Sequence, residues 1–234
     1  MGAEDPAPRL DRRDAPRPVR RRSTLSQEVA NHLRSQILTG ELRAGQFIRI
    51  DAVAEELEVS NTPVREALVT LQGYGLVDLL PNRGFQVAEL SREDIEDAFL
   101  VQRFIAGELA ARAAERLTDA DLDRLEAIQT RITRAHDQDD FAAVDFANDE
   151  FHRLINLAAG APKLRLFLGL ALRYVPSAPD TAVPGWQDAT ATDHSGILRA
   201  LRARDPDAAR AAMVSHIDHA RNLLIEHRRR QGQS

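Results

Sequence analysis

Three histidines keep step with apolar residues in segments far apart along the chain, a pattern that suits metal chemistry. In DFAAVDFANDEFHRLI, Phe141, Val144, Phe151 and Ile155 form an apolar stripe, and Asn148 and His152 fall inside it. A spacing of four stacks the amide and the imidazole on one helix face. In DHSGILRAL, His194 is in phase with Ile197, Leu198 and Leu201. Near the C-terminus His216 is in phase with Ala209, Met213, Ala220 and Leu223, whereas His219 turns to another face. Neutral imidazole nitrogen is a ligand for zinc, nickel and similar divalent ions. His152, His194 and His216 are therefore candidate metal ligands, with the Asn148 amide one turn from the first. An inward histidine is also an ordinary core residue, and no sequence-local H-E-x-x-H spacing is present. Metal-binding and structural histidines both remain open on the pattern alone.

A second candidate is Arg103, which falls among Ile95, Phe99, Ala106 and Ala110 on one apolar face. A buried guanidinium is costly unless a carboxylate meets it, from an internal acid such as Asp145 or from a ligand.

The third constellation is VSNTPVREALVTLQGYGLV, an amphipathic helix that opens on Ser60, Asn61, Thr62 and Arg65. Unpaired amides in a first helical turn favour anions, and such a turn fits a major groove. Arg65 is placed to reach a phosphate or a guanine, and Arg83, in the turn PNRG, to reach the minor groove or the backbone.

These residues need elements to hold them. Thr24 and Gln27 have capping-box spacing ahead of a Val29, Leu33, Ile37 stripe, and Gly40 stands where a helix-ending glycine belongs. RAGQFIRI reads as an extended connector and Asp51 as the cap of AVAEELE. Ser60 or Thr62 caps the third helix, with Pro63 tolerated in its first turn. LVDLL and FQVAEL read as strands. Three helices and a β-hairpin over 24–90 make a winged helix-turn-helix. From Ser91 the pattern is helical throughout. Ser91 with Asp94 and Thr118 with Asp121 open two helices, Asp139 opens a third running to Ala158, and a fourth lies near Leu164–Tyr174. After the proline-rich VPSAPDTAVPGW come helices over about 188–204 and from Asp205-Pro206 onward. The expected fold is mainly α, with an antiparallel helical bundle over 91–230 whose ligand sites lie between facing helices.

Composition narrows the function. The 234 residues include no cysteine, which removes disulfides and thiol ligands. No signal-peptide pattern and no apolar run of about 18 residues occur, so the expected protein is cytoplasmic and free of membrane. The formal net charge of −5 argues mildly against nucleic acid, since DNA binders are usually basic where they bind. Residues 1–23 nonetheless carry seven arginines against four acids, with four prolines, and read as a disordered basic arm. From Thr24 to Ala88 there are five basic and eight acidic residues, so affinity must come from local placement, the arm and dimerisation.

The segment from Leu25 to Leu90 resembles the DNA-binding domain of GntR-type bacterial transcription regulators, through Val-Ser, Thr-Pro-Val-Arg-Glu-Ala-Leu, Gly-Leu-Val and Arg-Gly-Phe. The resemblance implies DNA contacts at Ser60, Asn61, Thr62, Arg65 and Gly84. It also marks two departures, Asn61 and Asp51, each at a position where members carry arginine; Arg49 is a candidate substitute for the second. Residues 91–228 are similar to the FadR-type C-terminal domain. In its metal-binding members an Asp-x-x-x-His pair and two later histidines hold zinc or nickel, which implies His152, His194 and His216 here with Asn148 in the aspartate position. Arg103 matches an arginine that contacts a carboxylate effector, and Gly107 replaces a glutamate and would open space. The resemblance thus implies a homodimeric regulator that binds a palindromic double-stranded DNA operator and answers to a small organic acid held on a divalent metal. Two alternatives are the same regulator with a metal-free effector pocket and a metal-dependent hydrolase.

Overall fold

The computed structural model describes residues 20–175 and 183–232. Its N-terminal part comprises helices α1 (Arg20–Thr39), α2 (Ile50–Glu56) and α3 (Asn61–Gly73), with strands β1 (Phe47–Ile48), β2 (Val77–Leu80) and β3 (Gly84–Val87). The sheet is antiparallel in the order β1-β3-β2, with Ile48 and Leu79 both opposite Phe85. Val29, Leu33 and Ile37 of α1 join Val64, Leu68 and Leu71 of α3 and Phe85 in the core.

Three local expectations are corrected. Helix α1 begins at Arg20, so Thr24 and Gln27 lie within a helix and do not cap it. Arginine propagates a helix well once the last proline, Pro18, is passed. Residues 1–19 of the expected arm lie outside the described residues. The connector contains a strand: the Val87 amide donates to Gln46 O and the Gly45 amide to Val87 O, each at 2.9 Å. Two residues are too few to display a period. Asp51 sits in the first turn of α2, behind Arg49 at the N-cap, and its carboxylate is taken by Asn61. The hairpin turn uses left-handed backbone at Asn82 (φ 60°) and Gly84 (φ 92°), and Gly is the residue that tolerates this best.

The C-terminal part comprises α4 (Arg92–Arg116), α5 (Asp119–His136), α6 (Phe141–Ala158), α7 (Pro162–Ala171) with a 3-10 turn at Leu172–Tyr174, α8 (Trp186–Arg202) and α9 (Pro206–Arg230). Both expected capping boxes are present, at Ser91 with Asp94 and at Thr118 with Asp121. The α6 cap is Asp140, while Asp139 turns the chain with φ 54°. Residues 176–182 of the proline-rich stretch lie outside the described residues. Helix α4 packs along α9 and also meets α6, α7 and α8. Gly107 opens no space: a Cβ there would lie 3.0 Å from Val214 Cγ2, so the glycine serves close approach of α4 to α9.

The two parts touch. Arg228, buried near the end of α9, donates to Ile37 O, Leu38 O and Leu90 O at 3.1, 3.0 and 3.1 Å. The carbonyls at the end of α1 have few intrahelical donors, so one guanidinium satisfies them from the other part of the molecule.

Candidate functional site

His152, His194 and His216 come from α6, α8 and α9, and one ligand nitrogen from each lies within 4.8 Å of the others. The ring centroids are 5.1 Å apart in all three pairs. Their orientation is built from neighbouring hydrogen bonds. Gln129 donates its amide to Ala191 O at 2.8 Å, which turns its oxygen toward His194 Nδ1 at 2.9 Å. His194 Nδ1 must then carry the proton, leaving a lone pair on Nε2, which is buried with no partner among the described residues. Asp193 Oδ2 lies 3.3 Å from His216 Nδ1 and 2.9 Å from His219 Nδ1. A carboxylate only accepts, so His216 also presents Nε2 as a base. A polar partner on one ring nitrogen that aims the other is the usual support of a metal-binding histidine.

Electrostatics favour the neutral ligand form. Burial pushes the His152 imidazole down to about 3, with the His216 ring adding to the shift. Burial, then the two neighbouring rings, hold His194 well below the ordinary histidine range. Burial opposes ionisation of Asp193, but hydrogen bonds from His216 and His219 outweigh it and leave the carboxyl below its usual value. The Asn148 Oδ1 is also buried without a partner among the described residues. Three imidazoles, two of them held against protonation by burial, with an orphaned amide oxygen nearby suit a divalent ion of borderline character, and the donor set fits zinc or nickel.

A cavity of about 400 Å³ opens beside this group, lined by Asn148, His152 and His216 among others. Arg103 is not part of its lining. It pairs with Asp218 of α9 at 3.2 Å, half-buried, and Asp218 holds Arg221 as well. The cavity is lined instead by Gln102, one residue earlier and about 100° round the helix. Asp145 lines the cavity too and accepts from Gln187 at 3.4 Å. Sequence reasoning missed Arg34 of α1 and Arg173 of the 3-10 turn, both in the lining. A signal existed for the first: Ala30, Arg34 and Leu38 recur every four residues and are all buried.

In the N-terminal part Asn61, Thr62 and Arg65 share a shallow depression at the start of α3 with Glu66 and Val69. Ser60 is the N-cap residue, with extended backbone and no side-chain hydrogen bond to the helix. Arg49, Arg83 and Gly84 are exposed, as are Ser60, Asn61, Thr62 and Arg65. All seven expected DNA-contact positions are therefore accessible.

Comparison with known proteins finds two family models along the chain. Residues 25–87 match the model of bacterial regulatory proteins of the gntR family, and residues 97–219 match the FCD domain. The chain is 30% identical over 202 residues, 84% of its length and 87% of the relative's, to "Probable D-xylose utilization operon transcriptional repressor" of Paenarthrobacter nicotinovorans. It is 25% identical over 198 residues, 82% of this chain and 88% of the other, to the HTH-type transcriptional regulator McbR of Escherichia coli K12. Among solved structures, E. coli McbR/YncC superposes with a TM-score of 0.64 at 24% identity, covering 86% of this chain and 97% of that one, which supports the fold. These relatives are named as regulators, which disposes of the hydrolase alternative. With a gntR-family segment ahead of an FCD domain, the chain belongs to the gntR family of bacterial regulatory proteins, and it is a DNA-binding transcription regulator, not an enzyme.

Proposed function

We propose that the chain works as two units, residues 24–90 reading DNA and residues 91–230 holding an effector and a second copy of the chain. The observation that carries this reading is the three-histidine group beside a cavity that His152 and His216 line, with His194 Nε2 left without a partner among the described residues. A divalent metal, zinc or nickel, held by His152, His194, His216 and Asn148 would act as a Lewis acid for a carboxylate or hydroxyl of a small organic acid. The protein residues supply the rest: Gln129 aims His194, Asp193 aims His216, and burial disfavours protonation of His152 and His194.

Dimerisation is supported by an exposed apolar face. Leu100, Val101 and Phe104 of α4 are 49%, 49% and 78% exposed, and Leu166, Phe167 and Leu170 of the adjacent α7 are 58%, 52% and 54% exposed. Apolar side chains of this size crowded on two packed helices suit a protein interface. Two copies related by a two-fold axis would place two α3 helices on a palindrome, through Ser60, Asn61, Thr62 and Arg65, with Arg49, Arg83 and Gly84 alongside. The effector would act by differential affinity for two relative placements of the DNA-binding units.

The test is selection of binding sites from random DNA by the purified protein, followed by release or retention of the selected site with zinc or nickel and a library of organic acids. An inverted-repeat motif whose occupancy changes with an acid only when metal is supplied is the expected result. A motif without dyad symmetry contradicts the dimer, and equal acid responses with and without metal favour the metal-free pocket.

A further inference from the structure

Arg34 is the cavity residue that a metal site leaves unexplained. It belongs to α1, in the gntR-matched segment, yet it lines the effector cavity and is only 9% exposed. Its Nε is buried with no hydrogen-bond partner among the described residues. Burial lowers its pKa, and the nearby positive charge of Arg173 adds to the effect. Asp149 also lines the cavity and attracts Arg34. Two guanidinium groups, Arg34 and Arg173, thus face a cavity that the carboxylates of Asp145 and Asp149 also line. A buried guanidinium N–H without a partner is costly for a fold to keep, and a planar guanidinium matches an oxyanion in fork geometry.

We infer that the cavity takes a compact two-headed anion, one head at the histidine group and the other on Arg34, and that this ligand ties the DNA-binding segment to the effector bundle. The histidine head rests on the metal reading proposed above; the Arg34 head does not. A cavity of about 400 Å³ lies at the small end for ligand sites, which points to a dicarboxylate of about three to six carbons or its phosphonate counterpart.

The structure also supplies the route by which such a ligand would reach DNA. Arg173 lies over the Tyr74 ring at 4.7 Å, and Tyr174 donates its hydroxyl to Tyr74 O at 2.7 Å. Tyr74 is the C-cap of α3, the helix proposed to read bases. An anion held by Arg34 and Arg173 therefore bears on α1 directly and on the end of α3 through one residue. By linkage, whatever geometry the ligand favours changes operator affinity, and operator binding changes ligand affinity equally.

The experiment titrates zinc-loaded full-length protein with malonate, succinate, glutarate and adipate, their monocarboxylate counterparts of equal length, and the matching phosphonocarboxylates. Calorimetry and amide hydrogen exchange are the readouts. At least one two-headed acid should bind about tenfold or more tighter than its one-headed counterpart and slow exchange in α1 around Asn31–Leu38. Arg34→Met should erase that difference, and Arg34→Lys should restore part of it. Phosphonates tighter than carboxylates would identify the second head as phosphate-like. The inference falls if no two-headed acid outbinds its counterpart, or if Arg34→Met retains the preference. Zinc affinity of the same variants separates the two readings: normal zinc binding with no two-headed preference sinks only this inference, and absence of zinc binding in the wild type sinks the metal reading.

Discussion

Asn61 donates through Nδ2 to Asp51 Oδ1 at 2.7 Å, so the two positions where the family resemblance leads one to expect arginine are joined to each other. A carboxylate accepts only, so it fixes the amide with its NH2 group toward Asp51 and its oxygen turned away. An acceptor oxygen at the first position of α3 seeks a donor in the major groove, which adenine N6 and cytosine N4 supply and guanine does not. We therefore predict, as a hypothesis, that Asn61→Arg changes the half-site recovered from random DNA. Asp51→Ala should relax discrimination at the same base pair. Identical motifs from all three proteins would show that the pair does not read bases.

Arg65, exposed one turn into α3 beside Asn61 and Thr62, is expected to make a direct contact. Arg65→Ala should weaken specific binding by about 1–3 kcal/mol if the partner is guanine. A phosphate contact would instead lower affinity for all sequences and flatten the salt dependence. Titration of the selected site and of a scrambled one at several salt concentrations distinguishes these, and undiminished affinity removes Arg65 from the interface.

Features written in adjacent residues were legible before the structure. The capping boxes at Ser91 and Thr118, the wing turn at Asn82–Gly84 and the histidines four apart from apolar neighbours all depend on local spacing. Phase errors of one residue were not correctable from pattern alone. A long helix surrounded on several sides, such as α4, has no single apolar stripe, so Arg103 and Gln102 exchanged roles. Contacts between distant segments had no sequence signal: Arg228 on the α1 carbonyls and Arg34 in the cavity arise from how two units meet.

Arg228 offers a test of that meeting. Arg228→Met removes three hydrogen bonds from buried carbonyls and should destabilise the protein by roughly 2–4 kcal/mol. Hydrogen exchange should rise first at the end of α1. Unchanged melting and exchange would mean that this contact does not hold the two units together.

Acid should loosen the metal-stripped protein. His152 titrates near 6.5 when unfolded and about 3 when folded, so its neutral burial contributes fully above pH ~6.5 and the contribution is lost as pH falls toward 3. His194 shifts in the same direction. The expected slope is about 1.4 kcal/mol per pH unit for each such histidine. Denaturant melts of chelator-treated protein between pH 7.5 and about 4.5 check this, and a variant with His152→Gln should show a shallower decline. Equal slopes would mean that His152 is not held neutral.

Asn148 stands where the family resemblance implies an aspartate ligand, and its oxygen has no partner among the described residues. Asn148→Asp should tighten zinc binding by about tenfold or more, since a carboxylate adds charge to the same coordination position. Zinc competition against a chromophoric chelator gives the comparison, and unchanged affinity would place Asn148 outside the coordination shell.

The most direct test of the metal-centred effector site is elemental analysis of protein purified without chelator or histidine tag, paired with zinc and nickel titration of its thermal melt. The account predicts roughly one divalent ion per chain, an upward melting shift on adding the ion to stripped protein, and loss of both in His216→Ala. No bound metal, together with no shift from any divalent ion, would contradict it and leave His152, His194 and His216 as core residues.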